Sequence, residues 1–201
     1  EEIKNFDGIV LDVRPNYIYG AAHVPNSINI GLGGQFASWA GTMIPIGTSI
    51  AVFADTKEQI NEAVTRLARV GHDSVTGFIL ASNYKGDKRA VEQIAVEQVA
   101  QIVKTNGDIQ FVDVRRPAER VNGFAVGTVS IPLNRLAEEF ERLNPAKPTY
   151  VICQSGYRSS IGTSILENAG FKELYNVSGG TATWANAGLE IEKAETAAAT
   201  S

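Results

Sequence analysis

Cysteine occurs once in these 201 residues, methionine once and histidine twice. Each scarcity excludes something. A single cysteine, Cys153, rules out an internal disulfide and any enzyme that oxidises its own thiol pair, so a covalent intermediate on it must be resolved by an acceptor from outside. The histidines, His23 and His72, are lone structural candidates without a ligand cluster around them, so neither a metal site nor a cofactor is expected. With a net charge of −4 and no Lys/Arg-rich run, the chain lacks the footprint of a nucleic-acid binder, which must neutralise phosphates. No stretch approaches the roughly 18 apolar residues of a membrane span, and the opening EEIKNFDG has neither a basic nor an apolar targeting region. What is present is 44% hydrophobic residues, enough for real cores. The expectation is a soluble, cytoplasmic protein whose partners are small molecules or proteins, not membranes.

Self-similarity organises the chain. Ile9-Val10-Leu11-Asp12-Val13-Arg14-Pro15 is echoed by Gln110-Phe111-Val112-Asp113-Val114-Arg115-Arg116-Pro117 at a spacing of 101 residues, and Val70-Gly71-His72 by Ala169-Gly170-Phe171 at 99. Each repeat alternates short apolar strands with helical segments, which implies parallel strands covered by helices on both faces, an α/β fold. In the second repeat strands are expected near 109–114, 128–131, 149–153 and 173–177, and helices near 96–105, 135–143, 159–169 and 181–187. The first repeat is placed at residues 1–84 and the linker at 85–95, in and after the polar stretch from Ser82 to Lys88. The second repeat follows at 96–193, then a low-complexity tail at 194–201. Residue 1 corresponds to about residue 102, so the first repeat reads as truncated at its N-terminus, and the missing initiator Met suggests a longer parent chain.

The run Tyr150-Val151-Ile152-Cys153-Gln154-Ser155-Gly156-Tyr157-Arg158-Ser159-Ser160-Ile161 passes from an apolar strand through a polar turn into a helix. Ligands of open α/β sheets bind outside the carboxyl ends of strands, and the following helix aims unpaired N–H groups and its positive end at the turn. That is a cradle for an anion, and a thiolate is one: the dipole contributes roughly 0.3–2 kcal/mol, and the loop amides and Arg158 add to it. A buried cysteine that merely packs does not ask for so polar a turn.

The segment from Cys153 to Ser159 resembles the active-site loop of rhodanese sulfurtransferases. Asp113-Val114-Arg115, the Gly123–Ile131 segment ending in Ile131-Pro132-Leu133, and Val177-Ser178-Gly179-Gly180 with Trp184 and Gly188 resemble that family's pattern too, across nearly all of the second repeat; Phe124 departs from it, where the family often has His. The resemblance implies two rhodanese-like domains, each a parallel five-stranded sheet flanked by helices. It also implies transfer of sulfane sulfur from thiosulfate or a low-molecular-weight persulfide to a thiol such as glutathione, or to cyanide, through a persulfide on Cys153. Cys153 and Arg158 are then the catalytic residues, and Gln154, Ser155, Gly156, Tyr157, Ser159 and Arg115 the substrate-binding set. Arg115 and Arg116 each have two readings, holding a carboxylate of the fold or attracting an anionic donor.

Two alternatives stand beside this. Phosphatases and arsenate reductases of similar fold have a loop one residue longer than the four residues between Cys153 and Arg158, wide enough for a phosphate. The whole pair could also be a non-catalytic interaction module. The first repeat reads as inactive: Asp55 or its neighbour replaces the nucleophile, Ile60 the arginine, and Glu58 sets a negative charge in the cradle. Asp12 and Asp113 are expected to accept hydrogen bonds from backbone or arginine rather than act as bases. Trp184 is expected in the core, and Trp39 either there or as a loop anchor. The insertion from Gly31 to Gly41, followed by an inactive repeat, is similar to the rhodanese region of bacterial proteins that carry an N-terminal persulfide dioxygenase domain of metallo-β-lactamase fold. That likeness implies such a domain in the parent chain.

Overall fold

A computed structural model describes residues 6–105 and 107–193; the tail expected at 194–201 lies outside them. The first half runs β1 (Ile9–Asp12), α1 (Asn16–Ala21), β2 (Ile28–Asn29), α2 (Phe36–Met43), β3 (Ile50–Ala54), α3 (Lys57–Ala68) and β4 (Val75–Leu80). The second begins with β5 (Glu92–Ile94), α4 (Val96–Lys104), β6 (Gln110–Asp113), α5 (Pro117–Arg120), β7 (Phe124–Ala125), β8 (Val129–Ser130) and α6 (Leu133–Glu139). It ends with β9 (Thr149–Ile152), α7 (Tyr157–Asn168), β10 (Leu174–Val177), α8 (Gly180–Asn186) and β11 (Ile191–Glu192). Every residue of β3 and of β9 is buried, as a parallel strand covered on both faces requires.

Two parallel sheets result, in the orders β2-β1-β3-β4 and β5-β10-β9-β6-β8. The strands and helices expected in the second repeat are all present. The first sheet has four strands among the described residues rather than the expected five, with no counterpart of β5 among them. A small antiparallel pair, β7 with β11, was not foreseen; two-residue strands carry no readable alternation.

The linker expected at 85–95 is only partly one. Arg89 forms an antiparallel bridge with His23, the buried Val91 donates its N–H to Gly20 O, and residues 92–94 are β5. Apolar Val91 and Ile94 draw this stretch into the two halves. One core cluster runs continuously from Leu11, Val52 and Leu67 to Val112, Val151 and Leu166, so the halves share their packing.

The joint between them is α7. It lies on β9 and β10 and, on its other side, against β2 and α1. A Cβ on Gly162 would touch Val151 and Val114 at 3.3 and 3.5 Å, so this glycine brings the helix close to its own sheet. Toward the first half, Ser160 Oγ donates to Asn29 Oδ1 at 2.6 Å and Asn29 N–H donates to Ser164 Oγ at 3.3 Å. These groups are buried, where an unmatched donor or acceptor costs about 1–3 kcal/mol, so the pairings specify the docking. His23 Nε2 meets Glu167 at 3.0 Å across the same joint. No helix among the described residues is long and apolar enough to cross a membrane.

Candidate active site

Cys153 follows the last residue of β9 and is 1% exposed. Its sulfur accepts the Gly156 N–H at 3.2 Å and the Ser159 hydroxyl at 3.4 Å. The turn has this inward form because its carbonyls are engaged elsewhere. Thr181 N–H donates to Cys153 O at 2.7 Å and Ala182 N–H to Gln154 O at 3.1 Å, both from the start of α8. Gly180, at φ +59°, lies so close that a Cβ there would stand 2.2 Å from Cys153 O. Gly156 is the N-cap of α7 at φ +94°, a region open to glycine. Its carbonyl is held from both halves, by Asn176 Nδ2 and Asn16 Nδ2, each at 3.2 Å. No side chain caps α7, so its first N–H groups remain for an anion.

Arg158 does not hydrogen-bond the sulfur. Nη1 and Nη2 each donate to Glu119 at 2.6 Å, a bidentate pair. The hydrogen bond from Arg158 holds the Glu119 carboxyl below the usual range, and Glu119 in turn raises Arg158. Glu119 was invisible in the sequence reading: it follows Pro117 in the first turn of a helix, where an acidic residue needs no site to explain it.

Arg115 is a correction. It is 4% exposed, its Nε and Nη2 donate to both oxygens of Asp113, and Nη2 also donates to Gly123 O. Arg14 does the same for Asp12 and Ala22 O in the first half. The Asp-Val-Arg motif is therefore a brace at a strand end, with Arg115 Nε and Nη2 engaged in it. Trp184 is in the core, as expected, and its indole N–H donates to Glu190 O.

Four of the other predicted residues line a cleft of about 420 Å³, while Gly156 and Ser159 are buried beside the Cys153 sulfur and are not part of its lining. Gln154, Ser155, Tyr157 and Arg158 form one side with Arg116 and Glu119; the first half supplies Gly33, Gly34, Gln35 and Trp39. Cys153 is buried next to Gln154 and is not itself part of the lining. Burial holds the Tyr157 phenol above its usual range, and the neutral hydroxyl donates to Gly31 O at 2.7 Å. Arg66 of α3 fixes the same glycine loop by donating to Leu32 O and Gly34 O. A loop that the sequence showed only as an insertion is thus the second wall of the site.

Strand register locates the corresponding positions of the first half. Asp12 pairs with Phe53 as Asp113 pairs with Ile152, so the counterpart of Cys153 is Ala54, and Asp55 matches Gln154. His72 N–H bonds Leu67 O as Phe171 N–H bonds Leu166 O, which makes Gln59, rather than the expected Ile60, the counterpart of Arg158.

Two α/β halves, each a parallel sheet covered by helices, with a cysteine turn ahead of a helix in the second, define the class of fold. The rhodanese-like domain family matches the chain twice, over residues 1–87 and 95–187, and the chain belongs to it. Among its relatives is YqhL, an uncharacterised Bacillus subtilis protein, 36% identical over 75 residues, which are 37% of this chain and 60% of that one. YrkF of the same organism is 30% identical over 95 residues, 47% of this chain and 51% of its own. A sulfurtransferase of Allochromatium vinosum is 28% identical over 101 residues, half of this chain and 94% of that protein. The chain thus spans little more than half the length of the two Bacillus relatives it matches.

Proposed function

We propose that this chain is a sulfurtransferase in which Cys153 carries sulfane sulfur as a persulfide, and in which the first half has a scaffolding role. The observation that supports this best is the Cys153 sulfur at the N-terminus of α7, accepting hydrogen bonds from Gly156 N–H and Ser159 Oγ beside a cleft. In the first step the thiolate attacks the outer sulfur of thiosulfate. A sulfur–sulfur bond forms to Cys153, the original one breaks, and sulfite leaves with the electron pair. With an organic persulfide donor the leaving group is the thiolate.

The outer sulfur then stands about 2 Å beyond Sγ, one S–S bond length, which brings it up from the buried thiol toward the cleft. Gly156 N–H, Ser159 and the positive end of α7 stabilise its charge without reorganising. An acceptor thiolate attacks that outer sulfur, forms a new persulfide and returns Cys153 as thiolate. Thiosulfate or a low-molecular-weight persulfide as donor, a thiol such as glutathione or cyanide as acceptor, and a cytoplasmic setting belong to this reading. So does a parent chain in which a persulfide dioxygenase domain precedes residue 1, an arrangement supported by the glycine-rich insertion.

Intact mass after incubation with thiosulfate, then with glutathione persulfide, tests the proposal on the wild type and Cys153→Ser. One added sulfur on the wild type alone, removed by cyanide or excess thiol, is the expected result. No adduct from either donor, together with hydrolysis of p-nitrophenyl phosphate, would replace the proposal with a phosphatase.

A further inference from the structure

The cleft contains a charge that the cysteine turn does not use. Arg158 and Glu119 neutralise each other across their two hydrogen bonds. Arg116 on the same wall is exposed, and its side chain has no ion pair among the described residues; only its backbone bonds Glu119, the N–H donating to the carboxylate and the carbonyl accepting the Glu119 N–H. Its guanidinium carbon stands 6.0 Å from the centre of the Trp39 ring. Trp39 belongs to the first half and is 6% exposed, so the ring is a fixed surface against which a cation can rest. A guanidinium has donors only, and here they are left for an acceptor that the protein does not supply.

Building on the sulfur-transfer reading, we infer that Arg116 determines donor specificity: it receives the anionic end of the sulfur donor, and Trp39 of the inactive half positions it across the joint. The shared ligand chemistry is an oxyanion, either the oxygens of thiosulfate or a carboxylate of an organic persulfide. Space admits both, since 420 Å³ is about fourteen water volumes at about 30 Å³ each. The second half thus carries the sulfur, and the first half helps to decide which donor delivers it.

Steady-state transfer from three donors tests this: thiosulfate, glutathione persulfide and 2-mercaptoethanol persulfide, which has no oxyanion, with Arg116→Gln, Arg116→Lys and Trp39→Phe beside the wild type. Losing a charge-assisted hydrogen bond is expected to raise KM for the two oxyanion donors about tenfold in Arg116→Gln. The expected kcat is nearly unchanged, as is KM for the donor without an oxyanion. Arg116→Lys restores part of the loss. Trp39→Phe, which keeps an aromatic ring in the packing, shifts the oxyanion donors by about threefold in the same direction. A rise confined to thiosulfate assigns the oxyanion to it, and one confined to glutathione persulfide assigns a carboxylate; both uphold the inference. Equal changes for all three donors, or none in Arg116→Gln, overturn it while leaving sulfur transfer intact. A wild type that gains no sulfur from any donor overturns the sulfur-transfer reading itself, a result visible by mass before any variant is compared.

Discussion

The turns after β3 and β9 occupy the same place in two sheets of the same plan, yet they use the following helix in opposite ways. After β3, Gln59 Oε1 accepts the N–H groups of Asp55 and Thr56, and Thr56 Oγ1 accepts that of Gln59. This capping box takes up part of the donors that a helix start leaves unpaired. After β9 no side chain caps α7, Gly156 takes the left-handed conformation, and its N–H turns to the Cys153 sulfur. The difference is thus larger than a missing thiol. Both halves keep the Asp-Arg brace, but the first closes its helix start with its own side chains, whereas the second leaves α7 without a side-chain cap.

The strongest way to break that comparison is to move the cysteine. In Ala54→Cys combined with Cys153→Ser, sulfur loading measured by mass is expected to stay at least about a thousandfold below wild type, because residual catalysis without the native nucleophile is small and Ile60 stands where Ser159 offers its hydroxyl to the sulfur. Loading near the wild-type level would show that the cysteine alone separates the halves. A smaller effect comes from the first half's wall. A Cβ on Gly34 would stand 2.5 Å from the Tyr157 ring, whereas nothing lies within 4 Å of one on Gly33. Gly34→Val is expected to lower kcat/KM about tenfold and stability by about 1–3 kcal/mol, the usual cost of overpacking. Gly33→Ala changes neither, and equal effects of the two would remove the wall from the mechanism. The smallest effect is expected of Asp55→Ala. Its side chain is 43% exposed and 3.9 Å from Arg14, so thermal unfolding should shift by no more than about 0.5 kcal/mol and turnover should hold. A loss of turnover as deep as that of Cys153→Ser would make the first half catalytic after all.

Much of this was legible in the residues. The repeat of Asp-Val-Arg at a fixed spacing, and apolar runs too continuous for exposed strands, lead to parallel sheets. A lone cysteine ahead of Gln-Ser-Gly-Tyr-Arg-Ser leads to an anion-binding turn. Other features were not legible for definite reasons. Arg115 reads as a candidate ligand because a sequence shows its charge but not that Asp113 and Gly123 O engage its Nε and Nη2. Ile60 was matched to Arg158 in place of Gln59 because the spacing of the repeats changes from 101 to 99 between β1 and β3, and a change of two residues is decided by register rather than by composition.

The order of strands and helices, the presence of a chemically distinct turn in the second half and its absence from the first are local properties, and neighbouring residues determined them. Who faces that turn was decided only by the tertiary structure. Glu119 reaches Arg158 from 39 residues away and Tyr157 donates to Gly31 O across 126. Trp39 meets Arg116 across the joint. Such pairings depend on how α7 is buried between two sheets. Its Ser160 and Ser164 are matched to Asn29 in the interior, because a buried polar group must find its partner wherever the fold places one.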